Sequence, residues 1–282
     1  MKPTLIQSNG IRLAAESVGD PSDPPILLIM GAMASGVWWP VELCRELAAR
    51  GRFVIRYDHR DTGASTSYEP GTAPYDVEDL ADDAMHVLDG YGISQAHLVG
   101  MSLGGYIAQL LALKYPDRVL SITMISSEPL ATSDPNIPKL SQSVLDYHAR
   151  AAELDWSNHD EVLEYQIGAW RLLSGTAYEF DPELIRDMAE ADLARTPNPL
   201  TAFNHGTLGG GEAWIDRLDE IAVPSLIIHG TEDIVLPYAH ARALHAALAG
   251  SRLVTLQGVG HELPRGAWPV IIDELVAHTA RE

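Results

Sequence analysis

The chain has 282 residues, one cysteine, and 19 Lys and Arg against 39 Asp and Glu, a formal net charge of −20. Cys44 alone makes neither an intramolecular disulfide nor a cysteine-based zinc or iron–sulfur site. So acidic a surface repels phosphate backbones and anionic lipid, which argues against nucleic-acid and membrane-surface roles. The length and the 46% hydrophobic composition fit one large globular domain, or a core carrying one insertion.

Residues 4–7 and 11–16 are expected to be strands around Ser8-Asn9-Gly10, because Asn-Gly takes the positive φ that a tight hairpin needs. Charge and this turn arrive before any apolar stretch, so no secretory signal is expected and the protein is expected to be cytoplasmic. Residues 26–30 are a continuous apolar run, the mark of a strand buried on both faces. The uncharged stretch 24–41 approaches the length of a membrane span, but prolines and glycines break it into a strand, a loop and a helix start. Residues 40–50 carry helical spacing and end at Gly51, and 53–57 form another strand. Over 76–91 the apolar positions recur at helical intervals, with Glu78, Asp79, Asp82 and Asp83 expected to face water.

A strand at 96–100 and a helix at 103–115 follow, then strands at 119–125, 225–229 and 252–256 and helices at 239–248 and 270–280. Strands alternating with helices predict an α/β fold: a mostly parallel eight-stranded sheet flanked by helices and opened by an antiparallel hairpin. Between 127 and 219 the alternation stops, and turn clusters fall at Ser133-Asp134-Pro135-Asn136, Pro197-Asn198-Pro199 and Gly209-Gly210-Gly211. The expected organisation is a core of 1–127 and 219–282 with an inserted helical lid at 128–218.

The segment HLVGMSLGG, His97 to Gly105, holds G-x-S-x-G with Ser102 between a strand and a helix. A sharp strand-to-helix turn lifts such a serine out of the sheet, and glycines at 100 and 104 leave room where a Cβ would clash. A nucleophilic serine needs a base, and the base an orienting acid, in the chain order Ser, acid, His. HGTEDIVLP after the strand 225–229 offers Asp233, with Glu232 as the rival acid, and QGVGHELP after 252–256 offers His261. The oxyanion hole is expected from the backbone N–H groups of Leu103, opening the helix, and Ala32, after Gly31.

Met33, Trp38, Trp39, Trp170 and His205 are candidate substrate contacts, with core packing as the competing reading. The aromatic residues Trp156, Tyr165, Trp170, Tyr178, Phe180 and Phe203 would give the lid an apolar lining. Other histidines read more plainly: His229 at a strand end, His86 and His97 as packing or surface groups, His240, His245 and His278 on helix surfaces. No H-E-x-x-H pair supports a zinc hydrolase, and no metal or cofactor is expected.

From about residue 5 to 279 the chain resembles the α/β-hydrolase-fold serine hydrolases with a helical lid. RYDHRDTGAST (56–66) is similar to that family's D-x-R-G-x-G-x-S loop, with Asp58, Arg60, Gly63 and Ser65 in place and Asp61 replacing the first Gly. Met30-Gly31 stands where the family has His-Gly, so a bond from that histidine to its surroundings is expected to be missing. LLIMGAMASG, IRYDHRDTGAST and LDGYGISQAHLVGMSLGG resemble the branch with aclacinomycin methylesterase and serine-dependent macrolide esterases. The resemblance implies a serine esterase acting on a bulky polyketide ester or lactone, with macrolide ring opening expected first and anthracycline-type methyl-ester cleavage as the alternative. A carbon–carbon bond hydrolase, a cofactor-free perhydrolase or a small-molecule receptor of the same fold remain rival readings. Haloalkane dehalogenases and epoxide hydrolases, by contrast, carry an aspartate where Ser102 stands.

Overall fold

Asn9 and Gly10, at φ 45° and 84°, form the two-residue turn between β1 (Thr4–Ser8) and β2 (Ile11–Val18). The computed structural model describes residues 3–130, 137–215 and 217–280, so the expected turn at 133–136 lies outside the described residues. Six more strands complete the sheet: β3 (Pro25–Ile29), β4 (Phe53–Tyr57), β5 (Ala96–Met101), β6 (Val119–Ile125), β7 (Ser225–Gly230) and β8 (Arg252–Leu256). Their order is β1-β2-β4-β3-β5-β6-β7-β8, antiparallel from β1 to β4 and parallel from β4 onward. β2 runs past its expected end because Ser17 and Val18 pair with Ile55 and Val54 of β4.

Alternate side chains of β3 enter two different cores. Leu27 and Ile29 pack with α2 (Val77–Gly90), α3 (Leu103–Lys114) and α7 (Ala239–Ala247), whereas Ile26 and Leu28 pack with α1 (Val41–Ala49) and α8 (Trp268–His278). That period of two, with helices on both faces, explains the unbroken apolar runs in the sequence. α2 starts at a capping box in which Asp76 accepts from the Asp79 N–H and Asp79 accepts from the Asp76 N–H. Between β6 and β7 lie α4 (Gln142–Ala149), α5 (His159–Leu173) and α6 (Pro182–Leu193), with short 3-10 segments between and after them. Leu163 and Ile167 of α5 and Leu184 and Ala189 of α6 join the second core.

Three surface expectations are overturned. Asp83 is fully buried, because Arg60 meets its carboxylate with two hydrogen bonds of 2.7 and 2.8 Å. His240 and His278 are buried too, with their Nε2–H groups donating to the Pro138 and Ile122 carbonyls. Helical period fixes which face a residue occupies, not what packs against that face. No helix among the described residues is long and apolar enough to cross a membrane.

His97 of β5 is 2% exposed beside Ser121 Oγ at 2.8 Å, and burial, helped by His278 and Arg52, lowers its pKa to about 4. The unfolded chain, with a histidine pKa of about 6.5, then binds this proton and the fold does not, so His97 costs stability as pH falls through that window. Between pH 6.5 and 4 the wild type should lose on the order of 3 kcal/mol relative to His97→Gln. Urea midpoints of the two proteins across this range check it, and parallel curves would contradict it.

Candidate active site

β3 lies between β4 and β5, and the connections leaving β3 and β5 cross opposite faces of the sheet, through α1 and α3. Such a switch point opens a crevice at the carboxyl ends of the two strands, where ligands bind in open α/β sheets. Ser102 sits in it, immediately after β5 and before α3, at φ 53° and ψ −120°. A non-glycine residue in this region stores about 1–3 kcal/mol and persists only where its surroundings hold it. Here the Ser102 N–H donates to Ile125 O at 2.9 Å and its carbonyl accepts from Ser127 Oγ at 2.8 Å.

The two flanking glycines permit the turn. A Cβ on Gly100 would stand 2.1 Å from Gly104 O, and one on Gly104 would stand 2.0 Å from Ile29 O, so backbone packs on backbone. The loop after β3 also lies close by: a Cβ on Gly31 would be 3.2 Å from Ser102 Cβ. Ala32 lines the same cavity as Ser102, and the Leu103 N–H opens α3, where first-turn amides have no intrahelical acceptor.

Asp233 occupies the turn after β7. Its Oδ1 accepts the Val235 and Leu236 N–H groups at 2.9 and 2.8 Å, and its Oδ2 lies 2.7 Å from His261 Nδ1. A carboxylate accepts, so Nδ1–H donates and the neutral ring keeps its lone pair on Nε2. Burial pushes the Asp233 carboxyl up, but the His261 and His229 imidazoles outweigh it and hold the carboxyl well below the usual carboxylate range. His229 Nε2, 3.4 Å from Asp233 Oδ2, donates to Leu236 O at 2.7 Å. Glu232 turns away and accepts from the Thr176 N–H and hydroxyl. The His261 N–H donates to Leu173 O, which ties the loop after β8 to the end of α5.

Ser102 and His261 line one cavity of about 350 Å³. Met33, Trp38 and Trp170 are on its wall, with Trp38 and Trp170 stacked at 4.7 Å. Trp156, Tyr165 and Phe203 are there too, whereas Tyr178 is 40% exposed and Phe180 packs under the Arg171 guanidinium. Two candidate contacts need correction. Trp39 is fully buried in the core with α1 and α8 and does not reach the cavity. His205 is 6% exposed and has both ring nitrogens engaged, Nδ1 accepting the Met33 N–H and Nε2 donating to Arg60 O.

Sequence reasoning missed Asp192 of α6. It is buried on the cavity wall and accepts from Ser35 Oγ at 2.6 Å and Trp38 Nε1 at 2.9 Å, which fixes the indole plane. Just beyond it, Arg195 pairs with Asp58 at 2.8 Å and Glu16 at 3.2 Å, and Asn204 donates to Asp61 Oδ2. A lone acid on an amphipathic helix carried no signal for this role. Asp61 takes φ 65°, the left-handed conformation for which the family pattern uses glycine, and its carboxylate accepts the Tyr68 N–H and Tyr75 hydroxyl. Among the described residues no group of three or more His, Cys, Asp or Glu could hold a metal ion.

Comparison with known proteins bears on the fold that carries this geometry. The family model described as alpha/beta hydrolase fold matches residues 24–264. A rhodomycin D methylesterase of Streptomyces peucetius is 35% identical over 99% of this chain and 98% of its own, and one from Streptomyces sp. strain C5 is likewise 35% identical with the same coverage. Among solved structures, an enol-lactonase from Burkholderia xenovorans superposes with a TM-score of 0.77 at 21% identity, covering 99% of this chain and 100% of that one.

Gly104→Ala should destabilise the fold by about 3 kcal/mol or more, since its methyl meets backbone that cannot yield. Gly206→Ala, with nothing within 4 Å of the new Cβ, should change stability by less than about 0.5 kcal/mol. Urea unfolding of the two variants tests the contrast.

Proposed function

This chain belongs to the α/β-hydrolase fold family, and from that premise we propose that it cleaves the methyl ester of a polycyclic, anthracycline-type polyketide to the free acid and methanol. The observation that carries the choice of substrate is the end-to-end likeness to two rhodomycin D methylesterases. It favours methyl-ester cleavage over the macrolide ring opening expected first from the sequence. The cavity is compatible: its stacked Trp38 and Trp170, with Trp156 and Phe203, offer flat apolar faces to a fused-ring acyl group. In this reading residues 128–218 act as the lid over a core of 1–127 and 219–282.

The chemistry follows from the assigned roles. Ser102 Oγ attacks the ester carbonyl as His261 Nε2 takes its proton, while Asp233 holds the imidazole tautomer and stabilises the imidazolium. The Ala32 and Leu103 N–H groups receive the oxyanion, each donor contributing about 2.7–4 kcal/mol to the transition state. Collapse expels methanol, protonated by His261. Water, deprotonated by the same Nε2, then attacks the acyl-enzyme, and Ser102 Oγ leaves with that proton returned by His261, releasing the carboxylic acid. No step needs a metal or a cofactor.

Mass spectrometry of an anthracycline methyl ester and a macrolide, each incubated with the protein, tests the substrate. The expected product is the anthracycline less one CH2 with the macrolide unchanged; gain of one water on the macrolide alone would reverse the choice. Ser102→Ala should abolish turnover with the fold intact, and Asp233→Asn should lower kcat by about 10⁴ by favouring the wrong tautomer.

A further inference from the structure

The turn that carries the Ala32 amide, Met30-Gly31-Ala32-Met33, is gripped at both ends by histidines from distant parts of the chain. His59 Nε2–H donates to Met30 O at 2.9 Å, and the Met33 N–H donates to His205 Nδ1 at 3.0 Å. A missing histidine bond was expected here from Met30-Gly31, yet two others brace the loop. Met33 holds φ 64°, a left-handed conformation that costs an ordinary side chain about 1–2 kcal/mol and relaxes unless something retains it.

The retaining group is His205. The Met33 N–H can only donate, so His205 Nδ1 carries a lone pair, and Nε2–H donates to Arg60 O at 2.8 Å. The ring is buried and neutral, and it stands edge-on to His59 at 5.8 Å. The Met33 amide is spent on the imidazole, and the neighbouring Ala32 lines the cavity.

We infer that His205 is a positioning residue for oxyanion stabilisation: by accepting the Met33 N–H it holds the strained turn so that the Ala32 N–H meets the carbonyl oxygen attacked by Ser102. This rests on the roles assigned to Ser102 and Ala32 above, though not on the polyketide substrate. It makes a residue from the segment between β6 and β7 part of what aligns the reaction centre.

Three variants separate its two bonds. His205→Leu removes both; His205→Gln can keep the donor to Arg60 O but not the acceptor; His205→Asn keeps an oxygen near the Nδ1 position. The readouts are kcat and KM for p-nitrophenyl butyrate and the Ki of phenylboronic acid, whose tetrahedral serine adduct uses the oxyanion hole. His205→Leu and His205→Gln should lose at least about tenfold in kcat with KM within about twofold, and Ki should rise in step. His205→Asn should recover most of both.

A folded His205→Leu with wild-type kcat overturns the inference, as does a kcat loss with unchanged Ki. Where His205→Leu does not fold, equal losses in His205→Gln and His205→Asn overturn it. Ser102→Ala serves as the separate control: retained hydrolysis there would remove the serine mechanism itself, whereas a dead Ser102→Ala beside an unaffected His205→Leu would remove only the role of His205.

Discussion

Backbone pressed against backbone at the carboxyl ends of β3 and β5 is the constraint on which the site depends. Gly100, Gly104 and Gly31 supply the space, and Ser102 occupies it in a conformation that few side chains adopt. Because α3 begins at the next residue, the turn that exposes the hydroxyl also delivers a free amide beside it. Because β3 and β5 are neighbours in the sheet, the loop after β3 arrives on the other side of the same hydroxyl. The proposed nucleophile and oxyanion donors thus share one packing solution, and a methyl group at Gly104 would disturb both.

The partners come from further along the sheet. Asp233 is held by two backbone amides as well as by His261, so its orientation does not depend on the imidazole alone. The His261 and His229 imidazoles keep the acid ionised in a buried place, which the proposed mechanism requires of the partner of a base about to accept a proton.

Local pattern made the sheet legible. The apolar runs of β3 to β7, the Asn9-Gly10 turn and the glycines around Ser102 each encode a backbone state that survives whatever packs nearby. The order Ser, acid, His set Asp233 and His261 on loops after later strands, and the structure has them after β7 and β8. Side-chain destinations were less legible, because they depend on what the fold brings opposite. Nothing in the stretch around Asp83 announces Arg60, and Trp38 and Trp39 are indistinguishable until one faces a cavity and the other a helix pair. His205, 172 residues from the amide it accepts, lies beyond the reach of any spacing rule.

The fastening of α6 and the chain after it has a practical corollary. Asp192, Arg195 and Asn204 bind this wall to Ser35, Trp38, Asp58 and Asp61, the loops nearest the reaction centre. Refitting the enzyme to a differently shaped acid by redesigning α6 would therefore transmit every adjustment to the chemistry. α4, from which Val144 and His148 reach the cavity while Leu145 lies open to solvent, has no such attachment to those loops among the described residues. Directed diversification for new substrates is best begun along α4 beyond its cap Ser141, whose N–H donates to Ile234 O beside Asp233.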